Sequence, residues 1–210
     1  MEPIRTFVGI VAPLERANVD TDQIIPKQFL RSIERTGFGD ALFFDWRYLP
    51  DGSPNLEFEL NAPHRTGATI LVADTNFGCG SSREHAVWAV QQYGFKAVIA
   101  PSKRNGETCT PGFADIFRNN TVNNGLLLIE LAEEEVKWIF AVAKGRRLEA
   151  TVNLDAQTVS IHGDVEKTFH FDITPDVKER LLKGLDAIDL TLAYEADISA
   201  YEAAHDLFLP

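Results

Sequence analysis

Two strand-length apolar runs in the middle of this chain flank a glycine turn and a helix-length stretch, an order that leaves few folds open. Residues 69–73 form a buried strand candidate, 77–80 a glycine loop, 82–93 a helix that Gly94 ends, and 96–100 a second apolar strand. Two strands separated by a covering helix imply parallel pairing, because antiparallel neighbours need only a tight turn between them. A helix near 113–120, a strand at 126–130 and an amphipathic helix near 133–144 continue the alternation. From Leu148 the period shortens to two: 148–154, 159–162 and 168–171 look like half-buried strands, with turns at Asp155-Ala156 and Gly163-Asp164. Helical stretches near 175–183 and 195–205 close the chain. Residues 1–65 are less regular, with a strand-like 7–12, a short polar start at 18–23 and an aromatic segment around 43–48. The expectation is one α/β domain over 1–210, with mostly parallel central strands, helices, and additional antiparallel β-structure.

With 210 residues, 45% of them hydrophobic, the chain can bury one sizeable core. Its formal net charge of −11 argues against nucleic acid as a partner, since displacing counterions takes a basic face. A small anionic ligand remains compatible, because donors gathered in a cleft outweigh the global field. No apolar stretch is long enough to span a bilayer, and the first residues lack the charged start and apolar centre of a secretory signal. A cytoplasmic protein with no membrane partner is expected. Two cysteines, Cys79 and Cys109, exclude a disulfide framework and a self-contained Cys₄ site, and the five histidines show no paired ligand spacing. This chain is therefore expected to bind no metal cofactor of its own.

The most informative stretch is Asn76-Phe77-Gly78-Cys79-Gly80-Ser81-Ser82-Arg83-Glu84-His85-Ala86, between the first strand and its helix. Gly78 and Gly80 permit a tight turn and close approach of a ligand to the backbone. Ser81 or Ser82 is placed to cap the helix, and Glu84 follows Ser81 by three, matching a capping box. First-turn N–H groups, the positive helix end and the forked Arg83 guanidinium together make an anion site. The same donors suit a second task. They would stabilise a serine alkoxide and let it remove a carbon-bound proton. An ordinary capped helix after a glycine turn is the plainer alternative, and Gly-x-Gly alone does not decide between them. The phosphate-loop, dinucleotide and hydrolase-elbow signatures are not present.

Gly78-Cys79-Gly80-Ser81-Ser82-Arg83-Glu84-His85-Ala86 resembles the signature of the swivel domain of the aconitase superfamily. Residues 18–30, from Asn18-Val19-Asp20-Thr21-Asp22 to Gln28-Phe29-Leu30, resemble the opening of the isopropylmalate dehydratase small-subunit family. Arg35-Thr36-Gly37-Phe38-Gly39, Tyr93-Gly94-Phe95-Lys96, Phe113-Ala114-Asp115-Ile116-Phe117 and residues 184–192 fit the same family in the same order. The resemblance implies a swivel-type fold in β/β/α layers. It also implies a hydro-lyase that interconverts 2-isopropylmalate and 3-isopropylmalate in leucine biosynthesis, inactive without its partner. That partner would be a large iron–sulfur subunit, whose [4Fe–4S] cluster polarises the leaving hydroxyl as a Lewis acid.

Residue by residue, the resemblance assigns Ser81 as the base, with Ser82 and Arg83 holding the carboxylate of a small dicarboxylate substrate. Asp22 matches an aspartate that orients a histidine of the other module; a local turn or helix cap is its plainer alternative. Residues 27–32 lie where the family adjusts substrate choice, so Leu30 would meet the branched apolar group, contributing on the order of 1.5–3 kcal/mol if buried. Arg31 would select a more acidic substrate if it pointed inward; solvent or an inter-subunit contact is the favoured reading. Cys79 is read as a small loop residue, His85 as structural, and Trp46, Trp88 and Trp138 as core or interface aromatics. One departure stands out: polar residues 103–112 intervene where the family runs directly from serine to phenylalanine; their turn formers imply a surface loop, with a changed subunit contact or a partial cover over the site as the alternative. Two rivals remain: a related hydro-lyase acting on citraconate-type or homoaconitate-type acids, and a non-catalytic anion-binding module.

Overall fold

A computed structural model describes residues 1–31, 35–81, 83–106 and 108–205. Along the chain come β1 (Thr6–Leu14), α1 (Thr21–Ile24), α2 (Phe44–Arg47), β2 (Ala68–Ala73), α3 (Glu84–Tyr93), β3 (Ala97–Asn105) and β4 (Thr108–Thr110). They are followed by α4 (Asp115–Asn124), β5 (Leu127–Ala132), α5 (Glu133–Ala143), β6 (Glu149–Asn153), β7 (Thr158–His162) and β8 (Lys167–His170). Three helices end the described chain: α6 (Pro175–Lys183), α7 (Ala187–Leu192) and α8 (Glu195–Ala204). Short 3₁₀ turns, Lys27–Arg31 among them, fill the irregular N-terminal third. None of the described helices is long and apolar enough to cross a membrane.

Strands β1, β2, β3 and β5 pair in parallel, while β6, β7 and β8 extend the β1 edge as an antiparallel meander. The α/β expectation of central parallel strands with added antiparallel structure therefore holds. Parallel strands covered on both faces need continuous apolar runs, which residues 70–73 of β2 and 97–101 of β3 supply. Ile70 and Val72 face one core with Ala97 and Ile99; Leu71 and Ala73 face the other with Val98 and Ala100. The first core is closed by α5, α6 and the inner side of the meander, where Val152, Val159, Ile161 and Phe169 alternate with more exposed neighbours. The second is closed by α3, α4 and the N-terminal segment through Val19, Ile24, Phe43 and Phe58. Each such side chain stabilises the fold by about 1.5–3 kcal/mol when fully buried.

Arg65 is buried where an apolar residue would be expected, and two carbonyls satisfy it. Its guanidinium donates to the oxygen of Val11 at 2.8 Å and to that of Ala143, in the last turn of α5. A cation at a helix C-terminus is favoured by the backbone dipole, so Arg65 ties β1 to α5 at a favourable point.

Three expectations need correction. Helix α3 begins at Glu84, with Arg83 at the N-cap position and no side-chain cap. The Ser81–Glu84 capping box does not form. The Glu84 carboxylate instead accepts from Asn124 Nδ2 at 2.9 Å, and the same Asn124 accepts from Trp88 Nε1 at 2.9 Å, so packing of α3 on α4 overrides the local cap. The polar insertion is not a plain loop. Strand β3 runs on past the parallel pairing and folds back as a hairpin, with Lys103, Arg104 and Asn105 opposite Thr110, Cys109 and Thr108. Finally, the C-terminal segment holds a further helix, α7, started by a reciprocal box between Asp186 and Asp189.

Candidate active site

The glycine loop leaves the carboxyl end of β2, a central parallel strand, and is stitched on both sides. On one side the Gly78 N–H donates to Val19 O at 2.8 Å, the Thr21 N–H to Cys79 O at 2.9 Å, and Thr21 Oγ1 to Ser81 O at 3.0 Å. Asn76 Nδ2 reaches Asn18 Oδ1 at 2.8 Å. These bonds join the two segments that carried the sequence resemblance, 60 residues apart at Thr21 and Ser81. On the other side the Asn76 and Phe77 N–H groups donate to Pro111 O and Gly112 O, both at 2.9 Å.

Local conformation explains the residue types. Asn76, Gly78 and Gly80 have φ of 59°, 78° and 90°, the left-handed region where a Cβ is costly. At Gly78 a Cβ would also lie 2.3 Å from the Phe117 ring, which packs edge-on against Phe77 at 5.3 Å. Behind the loop, then, stand two buried aromatics; its tip, at Gly80 and Ser81, is exposed. Glu130 on β5 braces the far side by accepting from the Gly112 N–H at 2.8 Å and from Arg118 at 2.7 Å.

Asp20 caps α1 through a reciprocal box with Gln23, at 2.8 and 2.9 Å, and this turns Asp22 towards the loop. The Arg83 guanidinium donates to Asp22 Oδ1, and Lys27 Nζ lies 3.6 Å from Asp22 Oδ2. Hydrogen bonding from Arg83 is the main reason the Asp22 carboxyl is held below its ordinary value of 3.8, with Lys27 adding to the effect and burial opposing it. Asp22 thus lies between two cations, while the Asp20 carboxylate, close enough to act on Cys79, brings a second negative charge to the loop. The Arg83 side chain is 17% exposed and Asp22 41%, so the pair sits at the rim of the open face.

The structure thus brings Ser81, Asp22 and Arg83 together. Sequence reasoning aimed Arg83 at a substrate carboxylate and Asp22 at a partner histidine; in this chain the two meet each other. Ser82 lies outside the described residues. Leu30 is half-buried and packs against the second core, next to Phe29, whose ring contacts Phe44 at 4.9 Å. Arg31 is exposed at the end of its 3₁₀ turn. Lys27, Glu130 and Phe117 were missed as site residues. Lys27 sits five residues after Asp22 in a segment already singled out, but Glu130 and Phe117 reach the loop only through tertiary packing.

Cys79 is half-buried in the loop, and burial, aided by the Asp20 charge, pushes its thiol pKa up. A group kept as thiol is a poor metal ligand or nucleophile. Cys109 lies apart on β4, and among the described residues no three His, Cys, Asp or Glu side chains gather as a metal site. These residues do not fit an iron–sulfur cluster. His85 packs edge-on against Phe38 at 5.2 Å and beside Trp88 at 4.8 Å, a structural setting.

The family model described as the aconitase C-terminal domain matches residues 1–134. Two relatives named 3-isopropylmalate dehydratase small subunit align over nearly the whole chain. That of Geobacillus kaustophilus is 56% identical, covering 98% of this chain and 98% of its own. That of Desulforapulum autotrophicum is 54% identical, covering 97% of this chain and 95% of its own. Among solved structures, the 3-isopropylmalate dehydratase of Methanocaldococcus jannaschii superposes with a TM-score of 0.64 at 25% identity, covering 93% of this chain and 99% of that one.

Proposed function

Because the chain belongs to the family of 3-isopropylmalate dehydratase small subunits, we propose that its exposed Ser81 face is half of a dehydratase active site, completed by a large subunit. The reaction is the interconversion of 2-isopropylmalate and 3-isopropylmalate by loss and re-addition of water. The names those relatives carry favour this substrate over citraconate-type or homoaconitate-type acids, and favour catalysis over a binding-only module. In this reading the whole chain acts as one swivel-type unit in the cytoplasm, and the [4Fe–4S] cluster belongs to the large subunit.

The observation that carries the site assignment is the exposed Ser81 on a rigidly backed loop, next in the fold to the Arg83–Asp22–Lys27 cluster. A serine hydroxyl is a weak base because its alkoxide is unstable in water; fixed N–H dipoles and a nearby cation in a water-excluded site lower that cost. Ser81 then takes the proton from the carbon adjacent to the one bearing the hydroxyl. The C–H electron pair becomes the double bond as the hydroxyl leaves the neighbouring carbon with its bonding pair, to be protonated to water by an acid of the completed site. Re-addition in the opposite sense gives the isomer. Arg83 offers further N–H donors beyond the one that meets Asp22, suited to a substrate carboxylate. Ser82 is proposed to hold the same carboxylate, Leu30 to face the isopropyl group, and Arg31 to face solvent or the partner.

The test is expression of the chain with and without its large subunit, followed by an anaerobic assay against isopropylmalate, citraconate-type and homoaconitate-type acids. Turnover of isopropylmalate by the complex, and none by the chain alone, is expected. Equal or faster turnover of another acid would move the substrate assignment; no turnover by a cluster-loaded complex would remove the catalytic one.

A further inference from the structure

The C-terminal arm is built differently from the rest of the protein. Every residue from Thr191 to His205 is exposed, although α8 holds three turns of hydrogen-bonded backbone. An isolated helix of ten residues is marginal in water, because nucleation cost outweighs so few propagating bonds. The exposed side chains also include large apolar ones. Ile188 and Leu192 stand one turn apart on α7; Tyr194 at the N-cap of α8, then Ile198 and Tyr201 within it, recur at i, i+4 and i+7, with exposures from 39% at Ile198 to 69% at Ile188. At about 100° per residue, that second set forms a single stripe. Asp197 falls on one side of it and Glu195 and Glu202 on the other, giving an apolar centre with an acidic rim, the anatomy of a protein interface.

From this we infer that α7 and α8 form a docking arm that lies in an apolar groove rimmed by basic side chains on the large subunit; the inference rests on the functional reading above. Charge selects the occupant. Residues 186–205 contain Asp186, Asp189, Glu195, Asp197 and Glu202 and no Lys or Arg, in a chain of net charge −11. A second copy seated on the same face would set carboxylates against carboxylates, whereas a basic rim complements them. The stripe then works as a helix read through i, i+4 and i+7 positions.

The decisive measurement titrates purified large subunit with three full-length forms: the natural chain, the double variant Leu192→Ser/Tyr201→Ser, and Glu195→Lys/Glu202→Lys. All four residues are exposed, so each variant should keep the melting midpoint of the natural chain. The apolar variant is expected to bind about 10- to 100-fold more weakly. The charge variant is expected to associate more slowly and to lose most of its salt dependence. Binding by both variants as tight and as fast as the natural chain would overturn the arm while leaving the functional reading intact. No binding by the natural chain would overturn both. Self-association of the chain alone, abolished by Leu192→Ser/Tyr201→Ser, would assign the stripe to a second copy and overturn the proposed occupant.

Discussion

The glycine loop and the C-terminal arm both present side chains to solvent, but they differ in what stands behind them. Ser81 sits at the tip of a turn backed by buried Phe77 and Phe117 and held by backbone bonds to 18–21 and to 111–114. The arm has no comparable backing among the described residues; from Thr191 to His205 every residue is exposed. Exposure alone therefore says little about purpose. Chemistry requires reacting atoms held to within a fraction of an ångström, which only a clamped support provides. Docking requires area and complementarity, and tolerates a support that is completed on binding.

The contrast can be broken at several points, of which Ser81→Ala gives the largest effect. Turnover of the assembled complex should fall by roughly 10²–10⁴-fold, as expected for loss of a general base, with assembly and melting unchanged. Anaerobic steady-state kinetics would check this, and turnover within tenfold of the natural complex would deny the loop its catalytic part. Next comes Gly78→Ala, where the added Cβ meets Phe117 at 2.3 Å and φ is +78°. Overpacking should destabilise the protein by about 1–3 kcal/mol, with left-handed strain adding about 1–2 kcal/mol, read by denaturant titration. An unchanged midpoint would mean the loop is no better backed than the arm.

Acid titration should give the smallest effect. Asp22 has a folded pKa below its ordinary 3.8, chiefly through Arg83. Its pairing therefore stabilises the fold above about pH 4 and loses that contribution as pH falls through the depressed value. Carboxyl-carbon NMR should find a midpoint below 3.8 that returns towards it in Arg83→Gln. The accompanying change in stability should be slight, because the Asp22 side chain is 41% exposed and water screens the pair.

Much of this was legible in the residues themselves. The parallel strands announced themselves as continuous apolar runs, the meander as a two-residue period, and the glycines at 78 and 80 as positions needing φ above zero. What escaped was decided by contacts distant in sequence. Glu84 could not be seen abandoning a capping box for Asn124, 40 residues away. Nor could Glu130 be seen bracing Gly112, since a lone glutamate in a strand carries no motif. Arg83 and Asp22 were each singled out, yet their pairing across 61 residues was invisible until the fold closed. Helix α7 was missed for a local reason: its starting box uses Asp186 and Asp189 where Glu or Gln would be the usual signal at the second position.

The hairpin has a practical consequence. Its entry strand is pinned to β5 as far as Ser102, and its exit is pinned at Pro111 and Gly112 by the Asn76 and Phe77 amides. Between those two moorings residues 104–106 and 108–110 are exposed, while Lys103 at the foot stays half-buried against Asp74. Lengthening such a segment costs only a few tenths of a kcal/mol in closure entropy, since that cost grows with the logarithm of length. An epitope or fluorophore tag grafted at Gly106 would ride on a stem already fastened at both feet.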